Sequence, residues 1–306
     1  MLPTENGAVR IFRFLGIDVF LHWSWFVIAV IRYQMLAAGG GYDSKAYYAF
    51  EVLALFGIVL MHEFGHSLAC RQVGGIANRI ILWPLGGVAY VQPPERPGAQ
   101  LWSIAAGPLV NVALVPILLV VYFTFQDALI PPDVIRFIAT MGWINFGLLV
   151  FNMLPIYPLD GGQILRSVLW FFMGRGKSLL VAAGIGFVLA GIAGLYALSQ
   201  QSLWECVIVF FIISQCARGW KMARAMMRLE QTARREEFEC PRCHVSPPTG
   251  ALWVCQRCGK HFDTFADGGR CQHCQAHYAE TQCANCGQWS AVESWRVFGR
   301  AVRMPR

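Results

Sequence analysis

Long apolar runs separated by short polar breaks fill the chain as far as residue 217, after which the pattern stops. Runs at 46–70, 99–125, 134–154, 178–198 and 203–217 carry few charges. A helix needs about 20 apolar residues to cross a bilayer, so each of these predicts a span or most of one. A further run, WSWFVIAVIRYQML, follows His22; it is shorter and contains Arg32, whose stem can carry its charge out to the interface. The expectation is therefore an α-helical polytopic membrane protein with about six transmembrane helices. Two stretches have a different texture. Residues 8–21, AVRIFRFLGIDVFL, are β-branched and aromatic around Gly16 and predict a hairpin at the membrane face, with Arg10 and Arg13 at headgroup level. Residues 71–98 are too polar and too rich in glycine and proline to span, and ANRIILWPLGGVAYVQ within them predicts two strands around Pro84-Leu85-Gly86-Gly87. Non-helical backbone at this depth must be hydrogen-bonded or line a wet cavity. It is either an edge that pairs with an extended substrate or a plain connecting hairpin.

Composition supports the membrane reading. Of 306 residues, 56% are hydrophobic and only 14% charged, where soluble domains carry about 25% charged residues. The net charge of +7 then records orientation before it suggests nucleic acid, which the sequence does not indicate as a partner. With the N-terminus inside, the inner segments hold Arg10, Arg13, Arg71, Arg79, Arg96, Arg166, Arg175, Lys177 and the basic run from Arg218, against Arg32, Lys45 and Arg136 outside. Six spans place both termini in the cytoplasm. The N-terminus shows no secretory signal with a small-residue cleavage site.

The chemistry concentrates where the pattern is broken by ionisable groups. The 46–70 run ends in His62-Glu63-Phe64-Gly65-His66. On a helix, i and i+4 share a face, so His62 and His66 can grip one metal ion and Glu63 can reach a water on it. Ionisable residues inside a membrane are costly and mark function. The 134–154 run leads into Asn152-Met153-Leu154-Pro155-Ile156-Tyr157-Pro158-Leu159-Asp160-Gly161-Gly162, where an acid in a broken apolar segment needs a cation. The Lys/Arg distribution puts His62, His66 and Asp160 at the same membrane level. Small residues in Ala106-Gly107-Pro108-Leu109-Val110-Asn111 suit close helix packing. Asn111 either bonds across to a neighbouring helix or contributes to the site. His22 is either an interface residue or a polar group near the site.

Eight of the eleven cysteines form four CxxC pairs: Cys240/Cys243, Cys255/Cys258, Cys271/Cys274 and Cys283/Cys286. Two CxxC turns close one tetrahedral zinc site, so the tail predicts two structural zinc ribbons. A disulfide framework is disfavoured in a reducing cytoplasm. The simplest pairing is sequential, 240/243 with 255/258 and 271/274 with 283/286; crossed pairing stays open. His244, His261, His273 and His277 are then surplus, and Cys70, Cys206 and Cys216 are packing residues. The expected domains are 1–217 in the membrane, a basic linker helix at 218–239 that lies on anionic lipid or is simply solvated, a double ribbon at 240–290 and a basic, aromatic tail at 291–306 that forms a surface helix.

The HEFGH motif late in a span, with Asn152 and LDGG at 159–162, resembles the site-2 protease family of intramembrane zinc metalloproteases. PLGGVA, AGPLVN and GIDVFLHWSW also look like that family, and the resemblance covers roughly residues 8–217. It implies that His62, His66 and Asp160 ligate a catalytic zinc and that Glu63 is the general base for the metal-bound water. It implies that Gly86, Gly87 and Asn152, with Asn111, position the substrate backbone. It implies cleavage of peptide bonds in transmembrane or membrane-proximal segments of other membrane proteins, in regulated intramembrane proteolysis. The expected location is a prokaryotic cytoplasmic membrane. The ribbon tail departs from the better-known architectures, which append PDZ or CBS domains or nothing; a protein partner for it follows only from its position. Two other readings are a non-enzymatic scaffold that recruits partners through the ribbons, and a metal transporter. The intact Glu63 with a complete ligand set argues against the first. The clustering of polar residues at one depth argues against the second.

Overall fold

The computed structural model describes residues 4–5, 7–39, 41–83, 86–126 and 130–297. Pro84, Leu85, the Arg32 side chain and residues 298–306 of the expected tail lie outside the described residues. By its contacts the chain divides into two units, Met1–Ala223 and Arg224–Arg306.

Among the described residues, five helices are long and apolar enough to cross a membrane: α2 (Ala46–Gln72), α3 (Pro97–Phe125), α4 (Pro132–Asn152), α6 (Arg175–Ser199) and α7 (Leu203–Gln231). The protein is a multi-pass membrane protein. The run after His22 forms α1 (Ser24–Ala38), whose 15 residues fall short of the other spans. At about 1.5 Å per residue a helix of that length reaches roughly three-quarters of the way across the hydrocarbon layer. Helix α5 (Asp160–Met173) is an addition to the expected elements. It is too short to read as a span, and Arg166 interrupts its apolar run.

The two predicted hairpins form, β2 (Ala8–Phe14) with β3 (Ile17–His22) and β4 (Ile76–Trp83) with β5 (Gly86–Gln92). Gly16 turns the first at φ +72°, where a side chain would be strained. They do not stand apart. Strand β3 pairs with β4 in parallel, and with β1 (Thr4–Glu5) they make one sheet ordered β1-β2-β3-β4-β5. Parallel neighbours need a long crossover, which α1 and α2 supply. Alternate residues Ile17, Val19 and Leu21 of β3 and Ile80 and Leu82 of β4 share a buried core with Trp25 and Val59. The period of two thus seats the sheet on α2, beside the histidine motif, with β5 at its margin.

Helix α3 lies very close to α2. A Cβ on Gly65 would fall 2.6 Å from the Ala106 carbonyl oxygen, so only glycine permits this approach.

The second unit begins inside α7, which runs unbroken through the expected boundary at 217 to Gln231. The expected linker does not stay helical to 239. Phe238 enters the core of the second unit with Phe265, Val292 and Trp295. Of the expected tail, the described part forms a short 3-10 turn, Val292–Trp295, and Trp295 is 1% exposed. The Trp295 indole packs against the Phe265 ring, with centroids 4.9 Å apart.

Candidate metal centre

Helix α2 carries His62 and His66 one turn apart, both about nineteen-twentieths buried, with Glu63 equally enclosed. Asp160 opens α5, after the segment 153–159 has broken the chain away from α4. That turn is tight. A Cβ on Gly161 would lie 2.3 Å from the Met153 carbonyl oxygen, and one on Gly162 2.4 Å from the Ile156 carbonyl carbon. The two glycines after the acid therefore fold the start of α5 onto the preceding turn and so aim Asp160 inward.

The three side chains meet. His62 Nε2 lies 3.0 Å from His66 Nε2 and 3.0 Å from Asp160 Oδ2, which is itself 3.4 Å from His66 Nε2. Asp160 Oδ2 is buried and has no hydrogen-bond partner. His66 Nδ1 faces the Ser103 carbonyl at 2.9 Å. A carbonyl only accepts, so that nitrogen holds the proton and Nε2 keeps its lone pair. Lone pairs converging this closely repel unless a cation lies between them. Two imidazoles and one carboxylate suit zinc and leave a fourth tetrahedral position open. The residues present therefore fit a metal ion.

Helix α3 closes the back of the centre. A Cβ on Gly107 would lie 2.3 Å from His66 Nε2 and 2.9 Å from His62 Nε2, so glycine here leaves room for both rings. Asn111 is 1% exposed and its Oδ1 lies 2.6 Å from His62 Nδ1. It in turn meets Asn145 of α4, through Asn111 Nδ2 to Asn145 Oδ1 at 2.7 Å and Asn145 Nδ2 to the Asn111 carbonyl at 2.9 Å. Asn111 thus makes the bond across helices and stands behind His62. Asn145 and Ser103 escaped the sequence reading. For Asn145 a signal existed, an amide in the middle of an apolar run.

Strand β5 covers Glu63. The Ala89 N–H donates to Glu63 Oε2 at 2.9 Å. A Cβ on Gly87 would come within 2.3 Å of Glu63 Cγ and 2.6 Å of its Oε1. The GlyGly of the second hairpin therefore lets backbone lie directly on the acid. Gly86 starts β5, opposite Trp83. Asn152 ends α4, partly exposed. His22 is not in the ligand cluster; it bonds the Ser24 hydroxyl and stacks on Trp83 at 4.2 Å.

The second unit holds two four-cysteine clusters, Cys240, Cys243, Cys283 and Cys286, and Cys255, Cys258, Cys271 and Cys274. The pairing is nested, not sequential. Glu239 N–H bonds the Trp295 carbonyl at 2.7 Å and Phe238 pairs with Arg296, which brings the first CxxC turn beside the last. All four turns are built alike. The first cysteine's N–H reaches the carbonyl five residues on, and its carbonyl accepts from the residue four on. That fourth residue has positive φ in each case: His244, Gly259, Gln275 and Gly287. Facing sulfurs lie 3.5 Å apart for Cys255 and Cys274 and 3.8 Å for Cys240 and Cys286. The Tyr278 hydroxyl, 3.1 Å from Cys255, draws that thiol down to about 6. The four surplus histidines join neither cluster.

This geometry, a histidine pair and a distant aspartate meeting where helices and a strand close on an acid, defines a class that comparison with known proteins identifies. Residues 50–131 and 125–193 match peptidase family M50. A solved site-2 protease from Methanocaldococcus jannaschii superposes with a TM-score of 0.53 at 30% identity, covering 70% of this chain and 95% of that one. The chain belongs to the M50, or site-2 protease, family. Among curated relatives, the zinc metalloprotease MJ0392 of M. jannaschii is 31% identical over 68% of this chain and 59% of its own length. Stage IV sporulation protein FB of Bacillus subtilis is 31% identical over 37% of this chain and 38% of its own. The chain spans less than two thirds of the curated relatives it matches first, 59% of MJ0392 and 63% of the Synechocystis protein sll0528.

Proposed function

We propose that the chain is an intramembrane zinc metalloprotease that hydrolyses peptide bonds in transmembrane or membrane-proximal segments of other membrane proteins. The observation that carries this reading is the convergence of His62 Nε2, His66 Nε2 and the unpartnered Asp160 Oδ2 beside the buried Glu63. When bound there, zinc lowers the pKa of water toward about 7 and polarises a carbonyl. His62, His66 and Asp160 hold the ion and leave one side open. Glu63 takes a proton from the attacking water as its oxygen bonds the peptide carbonyl carbon. It then returns that proton to the amide nitrogen as the C–N bond breaks, giving a carboxylate and an amine.

A helical substrate hides its carbonyls, so the scissile segment must be extended. Strand β5 ends the sheet on the side where its Ala89 N–H meets Glu63, and a substrate strand added there would cross the acid. Gly86 and Gly87 give that strand a close approach, and Asn152 lies at the end of the helix that precedes the aspartate turn. Two further zinc ions are structural, one in each cysteine cluster, where four thiolates leave no open position. The Lys/Arg distribution supports cytoplasmic termini, the archaeal and bacterial relatives support a prokaryotic membrane, and the ribbon unit would offer a protein partner a surface in that compartment. The scaffold and transporter readings have no observation in their favour.

The test is co-expression with a panel of single-span membrane proteins, comparing wild type with Glu63→Gln and Asp160→Asn. Cleavage by wild type alone, with zinc kept in Glu63→Gln, is the expected result. Equal processing of a cleaved substrate by all three would overturn the assignment.

A further inference from the structure

The two histidines of the metal centre need the same tautomer and obtain it differently. His66 has it from a backbone carbonyl, which cannot donate. His62 has no such neighbour. Its Nδ1 faces the side-chain amide of Asn111, and an amide offers an acceptor or a donor according to which way round it sits. Turned with its NH₂ toward His62, Asn111 would force the imidazole proton onto Nε2, and that nitrogen could not ligate.

The choice is made on α4. Asn145, fully buried, bridges two atoms of Asn111. One is the backbone carbonyl of Asn111, which only accepts, so Asn145 must turn Nδ2 to it. That leaves Asn145 Oδ1, also only an acceptor, against the Asn111 side chain. Asn111 must then give Nδ2 to Asn145 and Oδ1 to His62. His62 Nδ1 is left as the donor, and Nε2 faces His66 and Asp160 with its lone pair. Each step follows from the fixed donor and acceptor roles of the atoms, starting from a main-chain oxygen that cannot flip.

We infer that Asn145 is a positioning residue of the metal centre: it fixes the orientation of the Asn111 amide and, through it, the ligating tautomer of His62. The inference rests on reading His62, His66 and Asp160 as metal ligands. Loss of such an outer partner of a ligating histidine typically weakens metal affinity by about 10–100-fold.

A double-mutant cycle separates this role from simple helix packing. A carboxylate at position 111 is an acceptor whichever way round it sits, so Asn111→Asp removes the need for Asn145. Full-length wild type, Asn145→Leu, Asn111→Asp and the double variant are purified, and release of zinc to a competing chelator is followed. His62→Ala identifies the ion lost from the membrane unit. Asn145→Leu is expected to weaken that ion by about 10–100-fold when position 111 keeps its amide and hardly at all when it is combined with Asn111→Asp. Asn145→Ala is carried in both backgrounds in case leucine prevents folding. An equal loss in both backgrounds, or none in either, would overturn the inference. Identical zinc content in wild type and His62→Ala would instead sink the underlying metal assignment.

Discussion

On the proposed reading, the chain builds metal sites in two regions by opposite means. In the ribbon unit each ligand pair is local: four CxxC turns, each closed by the same two backbone hydrogen bonds, present two sulfurs apiece. Each turn is shaped by its own backbone bonds, and on this reading thiolates would fill all four tetrahedral positions. In the membrane unit only His62 and His66 are local. Asp160 arrives from another helix, aimed by Gly161 and Gly162, while the histidine rings depend on the room left by Gly107 and, for His62, on amides from α3 and α4. A site assembled from so many elements can leave one coordination position free and set an acid beside it. A site made from two turns closes on itself. The first arrangement suits chemistry and the second suits folding.

The comparison breaks most sharply at Glu63. Replacing it by glutamine keeps the shape but removes the base, and cleavage in a co-expression assay should fall by about 10²–10⁴-fold with zinc content unchanged. Metal removal should then split the two regions. A strong chelator should unfold the unit 224–306, because structural zinc supplies about 10–16 kcal/mol of apparent folding energy in small domains; proteolysis should clip that unit while the membrane helices stay protected. The nested pairing sharpens the point. Cys240→Ser and Cys286→Ser should each cost the same zinc ion, and Cys255→Ser a different one, as native mass spectrometry of the variants would show.

A smaller effect is expected at Gly87. An added methyl would meet the Glu63 side chain, and displacing a catalytic group by about 1 Å costs roughly 10²-fold in rate. Gly87→Ala should therefore slow cleavage without releasing zinc. The smallest effect lies at the far end of α2, where the Tyr42 hydroxyl donates to Glu51. Burial and that carboxylate push the tyrosine up to about 12. The folded state thus favours the protonated phenol. The contribution is complete below the unfolded value of about 10 and is lost as pH rises through about 12. Tyr42→Phe should lower the melting temperature by a few degrees, as expected for about 1 kcal/mol, and the difference from wild type should shrink across that alkaline window.

The cluster of His62, His66 and Asp160 beside the acid Glu63 was legible in the sequence because charged groups stand out in apolar runs and the i, i+4 spacing has a geometric meaning. The long spans and both hairpins were legible from period and from turn residues. The parallel joint between β3 and β4 was not, since nothing local says that a crossover will bring Val19 beside Ile80. The cysteine pairing was not, because four alike turns close equally well in any pairing and the choice is made by the backbone bonds of Glu239 and Phe238 to the far end of the unit. Helix α5 was hidden by its length; Asn145 carried a signal, an amide inside an apolar run, but nothing local says that it meets Asn111 across the helices.

The central claim is that His62, His66 and Asp160 hold a metal ion of their own, distinct from those of the cysteines. Counting zinc per chain in the purified full-length protein tests it most directly. The account predicts three ions in wild type and two in His62→Ala/His66→Ala, with the cysteine clusters still loaded. Two ions in both would contradict it.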